Sequence, residues 1–320
     1  MRRTAALVTL VLIGCGSALG QGFPNRGLKI VVTFPPGGAP DILARQIGAK
    51  MQDTWGQPVV IENRPGAGGN IGADYVAKSA PDGYTVVMAT VGTHAINSSL
   101  YAKRPYDPER DFAPVTLVAS TPNLLVVNNN VPARSLSELI ALAKDKPGTL
   151  NFGSPGIGTS IHVSGELFNT MAGVKTTHVP YKGRAMAIPD LLAGQIQFMF
   201  DNMPSALPVT KEGKLRAIAQ TGAKRSLAAP EIPTMSEAGL PGFEATSWFA
   251  VFAPAGTPAD VIAKMNAEHN RILGLPDIKQ KLSDLGLDIL GGSPSELAAY
   301  TKREIAKWSK VVRDAGARAD

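Results

Sequence analysis

Two stretches of this 320-residue chain combine glycine, proline and hydroxyl side chains in a way suited to binding an anion: Phe34-Pro-Pro-Gly-Gly-Ala-Pro-Asp41 and Ser154-Pro-Gly-Ile-Gly-Thr-Ser160. In the first, Gly37 and Gly38 have no side chains to shield their backbone N–H groups, and the segment opened by Asp41 carries Leu43, Ile47, Met51 and Trp55 at helical spacing. Gly37, Gly38 and Ala39, with Pro36 beside them in the candidate site, are therefore expected to present main-chain donors beside a helix N-terminus, whose partial positive charge favours a carboxylate. In the second, Ser154 and Gly158 shape the loop, and Thr159 and Ser160 bring hydroxyls to an expected helix start, where simple N-capping is the competing role. Asp41 and Asp201 each follow a strand end. Each is expected either to cap a helix or to order water or a ligand amine. Thr90 and His94, at the end of a third strand, and Tyr181, in His178-Val-Pro-Tyr-Lys-Gly-Arg184, complete the candidate ligand-binding set. Lys182 or Arg184 of that segment is expected to face water, and Trp248 and Phe249 to be core.

No catalytic group is expected. The chain lacks Gly-x-Gly-x-x-Gly, a Walker loop, a Gly-x-Ser-x-Gly elbow, His-Glu-x-x-His and Ser-x-x-Lys. The rival enzymatic reading would use Asp41 and Asp201 as acid and base, brought together by closing lobes, yet no nucleophile–base pair accompanies them. The four histidines, His94, His162, His178 and His269, stand far apart in sequence, and Cys15 is the only cysteine. Neither a metal nor a cofactor is expected on that pattern.

The elements that must hold these loops follow a repeating plan. Ile30–Phe34, Pro58–Glu62 and Thr85–Thr90 read as strands, each followed by a loop and a helix or its start, including the glycine-dense Arg64-Pro-Gly-Ala-Gly-Gly-Asn-Ile-Gly72. Three β-then-α units imply a parallel sheet whose loops share its carboxyl edge. Val115–Asn128 is long and apolar, broken at Thr121-Pro122, and reads as one strand leaving a first lobe and another entering a second. The alternation then restarts, after a helix capped by Ser135 with Glu138, and runs to a strand at Leu215–Ala219. Thr246–Ala253 is the return crossing, and helices starting at Pro258, at Pro276 and after the Ser293-Pro-Ser-Glu296 cap finish the chain. The expected fold class is therefore α/β, a two-lobe binder with residues 21–122 plus 249–320 as lobe 1, 123–248 as lobe 2, and two hinge segments.

Apolar content of 44% and charged content of 18% belong to a globular chain. Residues 1–20 read as a secretory signal: Arg2 and Arg3 precede an apolar run too short to span a bilayer. Ala18-Leu19-Gly20 suits cleavage before Gln21, giving a soluble periplasmic protein, whereas Leu12-Ile13-Gly14-Cys15 is lipobox-like and would give a lipid anchor on Cys15. Without residues 1–20, which hold two arginines and no acid, 30 basic face 26 acidic side chains, and the net charge of +6 becomes +4. The cations are dispersed, with no basic run, so nucleic-acid binding is not expected.

Together with Glu62-Asn-Arg-Pro-Gly-Ala-Gly-Gly-Asn70, Asp82-Gly-Tyr-Thr85, Gly158-Thr-Ser-Ile-His162, Val179-Pro-Tyr-Lys-Gly183 and Pro233-Thr-Met-Ser-Glu-Ala-Gly239, the first loop makes the chain resemble the Bug or TctC family from about Phe23 to the last helix. These are extracytoplasmic receptors of tripartite tricarboxylate transporters. The resemblance implies a type II-like periplasmic-binding-protein fold that closes on a small carboxylate, held largely by main-chain amides and bridging water, for membrane permease subunits to receive. A sensor kinase is the alternative reader of the closed form. Pro155 and Ile157 depart from the small or polar residues that relatives often carry there.

Overall fold

The structure, a computed structural model, describes residues 22–319. The signal, its cleavage site and Cys15 lie outside the described residues. No helix among the described residues is long and apolar enough to cross a membrane.

The chain runs β1 (Leu28–Val32), α1 (Ala39–Trp55), β2 (Val59–Asn63), a 3₁₀ turn (Ala67–Gly69), α2 (Asn70–Ala77), β3 (Thr85–Thr90), a wide π-type turn (Gly92–Ile96) leading straight into α3 (Asn97–Leu100), and β4 (Phe112–Val127). It continues through α4 (Leu136–Asp145), β5 (Asn151–Ser154), α5 (Ser160–Ala172), β6 (Thr177–Pro180), α6 (Arg184–Ala193), β7 (Phe198–Asn202), α7 (Met203–Lys211) and β8 (Arg216–Gln220). The return strand β9 (Thr246–Pro254), α8 (Ala259–Gly274), α9 (Pro276–Asp284), β10 (Asp288–Ile289) and α10 (Pro294–Asp314) complete it.

The strands order as β2-β1-β3-β9-β4-β7-β5-β6. β1 pairs in parallel with β2 and β3, and β5 in parallel with β6 and β7, so each half has a parallel trio whose following loops share one edge. β9 and β4 run antiparallel to these trios and knit them together. This is the expected two-lobe α/β plan.

The expected pair of strands at Val115–Asn128 is instead one continuous strand of 16 residues. Up to Pro122 β4 pairs with β9, and from Asn123 it pairs with β7. Proline cannot donate to a ladder, and Pro122 falls at the change of partners, where β4 tolerates it without breaking.

Local signals account for the element ends. Pro40 enters α1 in its first turn, where its missing N–H is no loss, and Gly56, at φ 62°, ends the helix in the left-handed conformation. Ser293 and Glu296 form a complete capping box on α10. At α4 only half of the motif forms: Ser135 accepts from the Glu138 N–H, but the Glu138 carboxylate accepts from Arg134 N rather than from Ser135 N. The α1 stripe of Leu43, Ile47 and Met51 is fully buried with Ile30, Val32, Met265 and Leu282. Burial of each such side chain contributes about 1.5–3 kcal/mol. A second core carries Phe152, Phe168, Phe198 and Phe200 in the other half and extends to Trp308 of α10.

Candidate functional site

The carboxyl edges of the two parallel trios face each other across a cavity of about 50 Å³. Its walls are largely helix starts. Gly38, Ala39 and Pro40 come from α1, Val91 and Gly92 from the turn after β3, Thr159, Ser160 and Ile161 from α5, and Asn202 with Ser205 from the head of α7. Main-chain donors are spare there for a local reason. In α1 the first N–H groups used within the helix are those of Asp41 and Ile42, both to the Gly38 carbonyl, which leaves those of Gly38 and Ala39 ahead of the ladder. In α5 the Thr159 side chain takes the His162 N–H and its carbonyl takes that of Val163, leaving Ser160 and Ile161 in the same position. The macrodipoles of these helices add positive potential to the cavity.

One cation joins them. Arg184, at the start of α6, donates from Nε to Asp201 Oδ2 at 2.6 Å and from Nη2 to the Ser205 carbonyl at 2.7 Å. Asp201 is fully buried and also accepts from Ser205 Oγ at 3.1 Å. Burial pushes its carboxyl above the usual carboxylate range, against the opposing pull of Arg184 and Ser205. Of Lys182 and Arg184, one of which is expected from sequence to face water, Lys182 is exposed and Arg184 turns inward, drawn by a buried acid across from the helix start. The cavity floor is a buried polar net where the strands cross, in which Ser247 meets Ser160 Oγ at 2.6 Å and takes a bond from Asn202 Nδ2 at 2.8 Å.

Of the residues singled out from sequence, Gly38, Ala39, Thr90, Thr159, Ser160 and Asp201 line this cavity together. The others sit elsewhere. The Gly37 N–H is occupied by Asp41 Oδ2 at 3.1 Å, and Pro36 precedes it in the loop, off the cavity wall. Asp41 is buried, paired with Arg45 through both carboxylate oxygens at 3.0 Å and bonded by Asn63 Nδ2 at 3.0 Å. Burial would raise its pKa, but these hydrogen bonds outweigh it and hold the group below the usual range. It secures the loop from behind. Asp41 and Asp201 are each tied to their own arginine and form no acid–base pair.

His94 is fully buried, stacked on Phe252 at 4.3 Å, and burial with the nearby Arg104 lowers its pKa to about 3. Ser154 Oγ is 2.7 Å from His178 Nε2. Tyr181 borders a neighbouring pocket of about 400 Å³ that shares Phe34, Pro35 and Pro155 with the cavity. Its hydroxyl donates to Asp190 at 2.7 Å, and burial with that bond raises its pKa to about 12. Trp248 is core as expected, its Nε1 donating to Glu304, whereas Phe249 also reaches the cavity.

Sequence reasoning missed Phe34, Pro35, Arg184, Asn202, Ser205 and Ser247. Phe34 and Pro35 stand in the first quoted loop, Arg184 directly follows a glycine and Asn202 ends β7, whereas Ser205 and Ser247 carried no signal of their own.

Glycines bring the two halves into contact. A Cβ on Gly68 would lie 2.4 Å from the Ile157 carbonyl, one on Gly92 2.7 Å from the Gly158 carbonyl, one on Gly158 2.2 Å from Asn97 Oδ1, and one on Gly183 2.5 Å from Pro35. Tyr101 adds a hydroxyl bond to the Ile157 carbonyl at 3.3 Å. Gly158 itself lies off the cavity wall, in this seam.

Two facing α/β halves, strands that cross twice between them, and a cavity ringed by helix starts define a periplasmic-type solute-binding protein. Residues 43–317 match the model of the tripartite tricarboxylate transporter family receptor, TctC, and the chain belongs to that family of solute receptors. It is 37% identical to Protein BugT of Bordetella pertussis over 99% of both chains. Among solved structures, an R. palustris protein determined with adipate shares 42% identity at a TM-score of 0.90, covering 92% of this chain and 99% of its own. MatC of Rhodopseudomonas palustris, determined with malate, shares 38% at a TM-score of 0.86, covering 91% of this chain and all of its own.

Proposed function

We propose that this chain is a periplasmic receptor that captures a small dicarboxylate between its lobes and delivers it to the permease of a tripartite tricarboxylate transporter. The observation that carries the reading is the convergence of helix starts from both halves, with Arg184, on one cavity. Gly38 and Ala39 from lobe 1 and Ser160 and Ile161 from lobe 2 donate to one carboxylate. Charge-assisted bonds contribute about 1.5–3 kcal/mol each, so three or four, less the cost of immobilisation, suffice for micromolar binding. Neither lobe alone supplies that many, which couples occupancy to closure. The adipate and malate in the two related structures support a dicarboxylate as the ligand class. The rest of the ligand extends toward the 400 Å³ pocket beside Tyr181 and Lys182. The lobes are residues 21–122 with 249–320, and 123–248, hinged on β4 and β9.

Calorimetric titration of the purified chain with mono-, di- and tricarboxylates and amino acids tests the binding step. At least one dicarboxylate is expected to bind with micromolar affinity; failure of all of them below millimolar in folded, ligand-free protein would sink the proposal. Crosslinking in membranes that carry the permease, with and without ligand, tests the partner. Capture of a sensor kinase instead would reassign it.

A further inference from the structure

Outside the cavity, α5 and β6 gather three side chains that sequence separation kept apart. His162 and Glu166 stand one turn apart on α5, with Nε2 and Oε1 at 3.8 Å. His178 arrives from β6, its ring 4.2 Å from that of His162 between centroids, with Phe152 stacked against it at 4.8 Å. One nitrogen from each ring and one carboxylate oxygen of Glu166 all lie within 4.8 Å of one another. His162 is buried, while the Glu166 side chain keeps 23% exposure and so opens the cluster to solvent.

We propose that His162, Glu166 and His178 form a binding site for one zinc-class divalent transition-metal ion on the second lobe. Two imidazoles and a carboxylate are a borderline-soft donor set that suits zinc and disfavours magnesium or calcium, and water can complete a tetrahedron. Metal–ligand bonds of about 2.0–2.2 Å need donors about 3.4 Å apart, so the cluster must contract by roughly 1 Å, within reach of side-chain rotation. The orienting partners are in place. Ser154 Oγ holds His178 Nε2 at 2.7 Å, and Asn169 donates to Glu166 Oε2 at 3.4 Å, which leaves His178 Nδ1 and Glu166 Oε1 for the ion. Burial keeps both rings neutral at pH 7, lowering His162 to about 4 and His178 to about 3, so neither has a proton to shed. Ligation by His162 Nε2 places the ring proton on Nδ1 and gives up the long 3.4 Å contact from the Gly158 N–H. The ion is thereby wired to the 154–160 loop.

The test is calorimetric titration of the full chain, free of any affinity tag, treated with chelator and carrying Cys15→Ser, with zinc chloride at pH 7.5. One ion per chain is expected at micromolar affinity or better, with no heat from magnesium chloride. Glu166→Gln is expected to weaken binding about 10-fold and His178→Asn about 100-fold. In the unsubstituted site, zinc should also move the Gly158 amide resonance, a readout that needs no variant. Absence of binding below 100 µM, or one-site binding that both substitutions leave unchanged, overturns the site.

Discussion

Replacing Gly92 with alanine separates closure from folding. Gly92 starts the helical turn after β3, and its backbone is not left-handed, so alanine fits its conformation and gains about 0.5–1 kcal/mol of helix propensity, while Thr90 Oγ1 of its own lobe, 3.3 Å from the new Cβ, must give by a few tenths of an ångström. Across the cleft the situation differs. The new Cβ would stand 2.7 Å from the Gly158 carbonyl oxygen, against 3.4 Å for ordinary contact, so the halves must part by about 0.7 Å. Overpacking of this kind costs about 1–3 kcal/mol, and here the cost falls on the closed form alone. Ligand affinity should therefore drop about 5- to 150-fold, with the melting temperature of ligand-free protein unchanged or raised. Titration with whichever dicarboxylate the parent binds measures the first quantity and calorimetric melting the second. Small-angle scattering with and without saturating ligand separates failed closure from a direct clash at the cavity wall, which Gly92 also lines. A G92A protein that contracts on that dicarboxylate like the parent and binds within twofold of it would refute the seam.

Four further outcomes follow from the same geometry. Asp41→Asn removes the charge that Arg45, Asn63 and the Gly37 N–H share, at a cost of about 1.5–3 kcal/mol. Because the folded pKa of Asp41 is depressed, its contribution is complete above about pH 4 and fades as pH falls through the folded value. Urea denaturation from pH 2.5 to 6 should show that loss in the parent and a flatter profile in the variant. Arg184→Met strands Asp201 as a buried unpaired acid, which should cost about 3–5 kcal/mol and abolish carboxylate binding. Asp201→Asn makes the cavity net positive and should retain malate while discriminating against aspartate, which parallel titrations would check. Gly165→Ala drives a Cβ to 2.1 Å from the Phe152 ring, so about 3 kcal/mol of stability should be lost on chemical denaturation.

Where the chain folds by local rules, the sequence was legible. The helical stripe from Leu43, the capping serine at 293 and the β-branched strands each announced an element within a few residues of its observed ends. The misses have physical causes. His94 looked like the end of a strand because periodicity cannot separate a π-type turn from a strand end, and Pro122 looked like a break because its partner switch is a tertiary fact. Arg184 illustrates the site's difficulty: its direction is set by Asp201, 17 residues later, which no local pattern couples to it. His162 and His178 show the same thing for chemistry, since their separation of 15 intervening residues vanishes once α5 packs on β6.

Main-chain recognition explains why glycine dominates both the cavity loops and the seam. A carboxylate bound by backbone N–H groups must approach the chain closely, and two halves that close over it must do so too; both requirements exclude Cβ atoms at the same places. Gly38 lines the cavity, Gly68 and Gly183 lie in the seam, and Gly92 does both, lining the cavity while meeting the Gly158 carbonyl. Such a site fixes the carboxylate and leaves ligand identity to the few side chains around it. Here those are Phe34, Pro35 and Pro155, shared between the cavity and its neighbouring pocket, with Tyr181 and Lys182 beyond. Pro155, with Ile157, is where this chain departs from the pattern its motifs otherwise resemble. Exchange of residue 155 should therefore shift the ranking of dicarboxylates by chain length while leaving binding of the first carboxylate intact, because that carboxylate answers to atoms every residue shares.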